Sequence, residues 1–288
     1  MGPLYSTPLV AGKVIVFGTV DGTITGVNAA DGKISWKLYT GRPVLAEGVS
    51  EGSFVYIGGG DKSFYKLDAT NGNVIWQFCG VQGLIQGKPV VTTSSVVFGA
   101  WDKYLYSLDK NKGTLNWKWS NGETQKLYSP GNIVPVYSDN KIFIVAPDRY
   151  MTALDITNGK EIWRTGRHQV RESMGISPDG STIYAKLMND TVIAVSANEN
   201  YPLTKWAVNA GFGYEHNPCP VLATGNSVIA ATRDGVLIAI DPSGKRIIWK
   251  YKAGNSEINK VIADTKGRLW FTMTEGKIFS IDTKVYLH

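Results

Sequence analysis

The sequence predicts an all-β protein, a seven-bladed β-propeller of four-stranded antiparallel blades with an incomplete last blade, and three observations lead there. Six tryptophans, Trp36, Trp76, Trp117, Trp163, Trp206 and Trp249, recur about every 40–46 residues, a period that marks repeat architectures. Each of the first four closes a similar phrase, as in Leu67-Asp68-Ala69-Thr70-Asn71-Gly72-Asn73-Val74-Ile75-Trp76 and Leu154-Asp155-Ile156-Thr157-Asn158-Gly159-Lys160-Glu161-Ile162-Trp163. Upstream of each phrase lie short runs of β-branched and aromatic residues bounded by Gly and Asp, the pattern of strands joined by tight turns.

Each repeat supplies four strands, A to D. Strand A follows a proline in Pro8-Leu9-Val10, Pro89-Val90-Val91 and Pro220-Val221-Leu222, where no ladder donor is needed. Strands B and C are the β-branched pair, Val14–Phe17 with Thr23–Val27 in the first repeat and Phe54–Ile57 with Phe64–Leu67 in the second. The Asp/Asn-to-Gly segment is the C-to-D turn, in which Asp and Asn bond their own backbone and Gly supplies positive φ. Strand D carries the Trp. Its fixed phase to the turn makes it a packing element between blades, since ligand-stacking sites need no such phase. The phrase is altered at Ala197–Pro202 before Trp206, so Trp206 is expected to be the least regular. A seventh repeat, Leu269–Thr272 and Lys277–Asp282, has no matching Trp.

Continuous repeats over residues 1–288 predict one domain rather than two, closed radially so that few strand edges stay open. Thirty basic and 24 acidic residues leave a net charge of +6, but the basic residues are spread over all repeats, which disfavours nucleic acid as a partner. Arg164, Arg167, His168 and Arg171 come nearest to a cluster and read as a solvated link. Cys79 and Cys219 lie in repeats too far apart for a disulfide, so both are expected to be free and packed. No apolar run approaches a membrane span, and no signal peptide is evident.

The phrase Ala/Leu-Asp-x-x-Thr/Asn-Gly-x-x-x-Trp resembles the tryptophan-docking repeat of the quinoprotein-dehydrogenase-like propellers over essentially the whole chain. The resemblance implies the propeller fold and leaves several functions open. One branch, the quinone dehydrogenases, places a vicinal Cys pair beside the cofactor; this chain has no adjacent cysteines and no mappable calcium and catalytic set, so no cofactor is carried over. A second branch, the propeller lipoprotein of outer-membrane barrel assembly, holds a protein partner through its loops. A third comprises propellers that assist exported hydrolases such as metallophosphoesterases.

Groups that do not repeat are the candidates for function, because packing does not demand them in every blade. One Asp or Glu per B-to-C turn, Asp21, Asp61, Asp102, Asp148, Asp190, Asp234 and Glu275, reads as hairpin capping. Non-repeating polar groups are expected at the mouth of a central channel: Trp101, Arg149, Arg167, Arg171, Glu172, Tyr214 and His216. The arginines suit a polar or anionic ligand or a protein partner. Three histidines offer no metal-ligand spacing, and no nucleophile elbow or phosphate loop appears.

The sequence therefore reads as a non-catalytic, monomeric binding or scaffolding propeller, periplasmic or extracellular, with no catalytic residue, cofactor or metal assigned. Few residues precede strand A, and only Thr283 to His288 follow Asp282. The expectation is a longer native chain whose upstream segment holds a strand with a Trp in phase. The seventh blade would then have three strands here, or be patched by Lys284-Val285-Tyr286-Leu287.

Overall fold

The computed structural model describes residue 4, residues 6–213 and residues 219–283, and these form 27 strands in seven antiparallel sheets. Blade one is β1 (Leu9–Ala11), β2 (Val14–Gly18), β3 (Thr23–Asn28) and β4 (Ile34–Tyr39); blade two is β5 (Val49–Glu51), β6 (Phe54–Gly58), β7 (Phe64–Asp68) and β8 (Val74–Phe78). Blade three is β9 (Val90–Val91), β10 (Ser95–Gly99), β11 (Leu105–Asp109) and β12 (Leu115–Trp119); blade four is β13 (Val136–Ser138), β14 (Lys141–Val145), β15 (Met151–Asp155) and β16 (Glu161–Thr165). Blade five is β17 (Val170–Ile176), β18 (Thr182–Leu187), β19 (Thr191–Ser196) and β20 (Thr204–Asn209); blade six is β21 (Leu222–Ala223), β22 (Val228–Ala231), β23 (Val236–Asp241) and β24 (Arg246–Lys252). Blade seven has three strands among the described residues, β25 (Ile258–Ala263), β26 (Arg268–Met273) and β27 (Ile278–Asp282), while Lys284–Leu287 lie outside them. The fold is a seven-bladed β-propeller. No helix among the described residues is long and apolar enough to cross a membrane.

The chain divides into two compact units, residues 1–137 with 146–148 and 155–160, and residues 138–145 with 149–154 and 161–288. In the first, the β-branched and aromatic B and C strands supply the core. Tyr56, Phe64 and Phe98 are fully buried, and the Phe64 and Phe98 rings stack at 4.0 Å. Each of the two Phe rings contributes roughly 1.5–3 kcal/mol by leaving water. In the second unit, Tyr184, Trp206, Ile238 and Ile240 form one cluster and Trp249, Leu269, Phe271 and Met273 another.

All six repeat tryptophans are buried, at 7–9% exposure. In the first unit the indole N–H of each donates to the next blade's C-to-D turn: Trp36 to Ala69 O at 2.8 Å, Trp76 to Lys110 O at 3.1 Å and Trp117 to Ile156 O at 2.7 Å. The indole face lies on the glycine of that turn. A Cβ at Gly72, Gly113 or Gly159 would sit 2.5–2.6 Å from the ring, and all three glycines have φ of 70–77°. Gly is thus required twice over, for the left-handed backbone and for the stacked indole. A register shift beside every Trp, as at Gly26/Val27 and Ser107/Leu108, bulges the residue before it and turns the indole toward its dock.

Some details differ from the sequence reading or add to it. Trp206 is as buried as the others, so its longer turn does not displace it. An irregularity that the sequence does not show lies at Trp163, whose buried Nε1 has no hydrogen-bond partner. At the matching turn position, Ala197 O instead accepts Lys141 Nζ at 3.3 Å. Cys219 is buried, but Cys79 is exposed at the end of its blade's outer strand, so it is free without being packed.

Candidate functional site

With strands in the order A-B-C-D, the B-to-C turns and D-to-A links lie at one end of every blade. The links pack on the turns. In the first unit Gly83 abuts the Trp101 backbone, Trp101 N–H donates to Leu84 O at 2.9 Å, and Lys103 N–H donates to Ser129 Oγ at 3.0 Å. The turn carboxylates are held from within. Asp61 accepts the Ser63 N–H and the Tyr65 hydroxyl, and the buried Asp102 accepts the Tyr104 and Gln82 N–H groups and, at 2.7 Å, the Tyr106 hydroxyl. Burial first, and then the carboxylate partner, pushes the Tyr65 and Tyr106 phenols well above their ordinary range.

One position of these turns requires positive φ. Glycine takes it in blades one, six and seven, at Gly22, Gly235 and Gly276. Blades two to five instead hold Lys62 (φ 66°), Lys103 (φ 81°), Arg149 (φ 66°) and Asp190 (φ 66°) there. Asp190 is therefore not the capping acid of its turn: it occupies the left-handed position, one residue beyond the slot that Asp148 and Asp102 fill, and Asn189 stands in that slot.

The predicted binding residues separate into distinct environments. Trp101 belongs to the first unit and is half-buried, its Nε1 donating to Gln86 Oε1 at 3.0 Å and its face lying on Gly131. In the second unit Arg149 and Arg167 are exposed. Arg149 O accepts the Val170 N–H at 3.1 Å, which sets that turn beside the strand carrying Arg171 and Glu172. Tyr214 and His216 lie outside the described residues.

Arg171 is not part of a solvated link. It lies within β17 at 7% exposure, with Nε on Leu187 O at 3.4 Å and its guanidinium 5.8 Å from the Phe212 ring. The same ring lies 5.5 Å from Nζ of Lys186, which is fully buried and donates to Cys219 O and Ala231 O. His168 is half-buried beside Thr204, and burial, then the neighbouring Arg167 charge, lowers its pKa.

Sequence reasoning missed Lys186 and the left-handed Lys62 and Lys103. Lys186 stands at the register where blades one to three have Gly18, Gly58 and Gly99, each too close to the following link to carry a Cβ. Aligning the blades residue by residue exposes that departure, as it does the Gly-to-Lys exchange after Asp61 and Asp102.

Four-stranded blades, each docking its strand-D Trp on the next blade's Asp-to-Gly turn, define a propeller of the quinoprotein-like repeat class. The chain matches, over residues 1–47 and 40–251, the family described as outer membrane protein assembly factor BamB, and it belongs to that family. It is 23% identical over 343 residues to the outer membrane protein assembly factor BamB of Escherichia coli strain K12, covering 98% of this chain and 86% of the relative. It is 24% identical over 285 residues to that of Yersinia pestis, covering 97% and 61%. Among solved structures, BamB from Moraxella catarrhalis superposes with a TM-score of 0.75 at 17% identity, covering 97% of this chain and 83% of that one. The computationally designed Ika8 protein gives 0.60 at 16% identity, with 97% and 96% covered. At these identities the structural likenesses show the fold alone.

Proposed function

We propose that this chain is a non-catalytic, monomeric binding propeller of the bacterial periplasm that holds a protein partner during outer-membrane protein assembly. The observation that carries this reading is the family match, which runs through six of the seven blades, together with relatives named as outer membrane protein assembly factors. The geometry supports it in kind. The repeating residues are consumed in docking blade to blade, and the groups that differ between blades gather on the turn-and-link end, where a partner meets exposed side chains such as Arg149 and Arg167. Of the predicted binding group, these exposed arginines are assigned to partner contact and the buried Arg171 to positioning its strand.

The test is removal of the gene from its own organism, followed by measurement of the outer-membrane protein content of the envelope. The content should fall and be restored by the intact gene. Unchanged content in the deletion strain would overturn the reading.

A further inference from the structure

We propose that the turn-and-link end of blades two and three in the first unit docks an acidic, apolar-anchored segment of a protein partner, with Lys62, Lys103 and Lys126 meeting its carboxylates and Leu84, Leu127 and Trp101 its apolar side chains. The inference rests on the protein-binding reading above and names the surface and the partner's chemistry.

The first observation is backbone strain. Lys62 and Lys103 sit at φ of 66° and 81°, where three other blades have Gly. A left-handed Lys is less stable there than Gly, and backbone outliers of this kind cluster at binding and switch sites. The second observation is direction. Formal charge alone does not make this end basic, since Asp61, Asp102 and Glu123 also belong to it. Asp61 and Asp102 are turned back into their hairpins by N–H and phenol donors. The lysines carry their charge on long stems, and among the described residues Lys62, Lys103 and Lys126 have no carboxylate partner. Of these three acids Asp102 is buried and Asp61 is bonded within its hairpin, which leaves the exposed Glu123 against the ammonium groups of Lys62, Lys103 and Lys126. The third observation is apolar exposure on the links at this end: Leu84, whose carbonyl accepts the N–H of the half-buried Trp101, is 42% exposed, and Leu127, on the following link, is 66% exposed. Leu127 lies on a single 3-10 turn, Lys126–Tyr128, that buries none of its own residues. Cations and exposed apolar groups carried on the same turns and links suit an alternating acidic and apolar chain.

The experiment uses the full chain and its K62G, K103G and double variants. The probe is a short fluorescein-labelled peptide alternating Glu and Leu, read by anisotropy at low ionic strength, with a Lys-and-Leu peptide as control. Glycine relieves the left-handed strain, so the double variant should melt at a higher temperature than wild type and still bind the acidic peptide about fivefold more weakly. The control peptide should not bind. Unchanged affinity in the double variant, or equal binding of the control, would overturn the proposal. So would loss of binding to phosphatidylglycerol vesicles with peptide binding intact, which would assign this end to a lipid surface. In the deletion strain, restoration by wild type and equally by the double variant would sink this surface and leave the proposed function standing. Failure of wild type itself to restore would sink the latter.

Discussion

Trp117 and Trp163 occupy the same place in adjacent blades and bury the same ring, yet only Trp117 has a partner for its N–H. Exchange for Phe removes similar volume at both sites. At Trp117 it also strips a donor from the Ile156 carbonyl, and at Trp163 it removes an N–H that was already unsatisfied. We expect Trp117→Phe to cost about 1 kcal/mol more than Trp163→Phe in urea unfolding, the usual net value of one hydrogen bond. Equal losses would mean that water serves the Trp163 indole. Full truncation, as in Trp76→Ala, should cost roughly 3–5 kcal/mol. The arginines separate in the same way. Arg171→Ala should lower the melting temperature, because it removes a buried side chain bonded to Leu187 O, whereas Arg167→Ala, on an exposed residue, should leave it unchanged. A neutral Arg171→Ala would return that residue to the group that only touches ligand.

At the scale of the element, the C-to-D turn sets both the fold and its response to acid. The Thr70 hydroxyl and N–H hold the Asp68 carboxyl below its usual range; the Lys112 and Asn111 N–H groups do so for Asp109, and the Thr157 hydroxyl and N–H for Asp155. Each carboxyl thus has a lower pKa folded than unfolded. Its contribution is complete above the unfolded value of about 3.9 and is lost as the pH falls through the folded value. The melting temperature should be level above about pH 5 and decline below about pH 4. A triple D68N/D109N/D155N variant should decline less steeply, and an identical slope would show that other groups govern the acid limit. These turns were legible in the sequence because Asp, Gly and Trp each do something that no other residue type does as well there. The candidate site was less legible. Trp101 and Arg149 stood out as odd residues in turns, but nothing local distinguishes Arg171, buried in β17, from the exposed Arg167 four positions earlier. Which side of a link faces water is decided by the turns packed against it, and a linear pattern does not record that. The bulge before every Trp was invisible for the same reason, as a register shift leaves no signature in residue type.

For the molecule as a whole, the question is whether the two compact units are two domains or one cooperative structure. Repeat proteins can unfold in parts when contacts join only neighbours. Here the chain passes between the units several times between residues 137 and 161. The turn Asp155–Lys160 groups with the first unit, while most of β15 and all of β16, the strands it joins, group with the second, paired from Met151↔Thr165 to Leu154↔Glu161. That turn also carries Ile156 and Gly159, the dock for Trp117. One hairpin is thus divided between the units along the chain, and we expect one transition for residues 1–288, with the calorimetric enthalpy equal to the van't Hoff enthalpy. Gly159→Ala probes the coupling directly. Its φ of 70° and the Trp117 ring 2.6 Å from the added Cβ make the substitution destabilising at that hairpin. If the molecule is one cooperative structure, the variant lowers the temperature of the whole transition and keeps it single. A scan that splits into two peaks, with only one of them moved, would make the units independent domains.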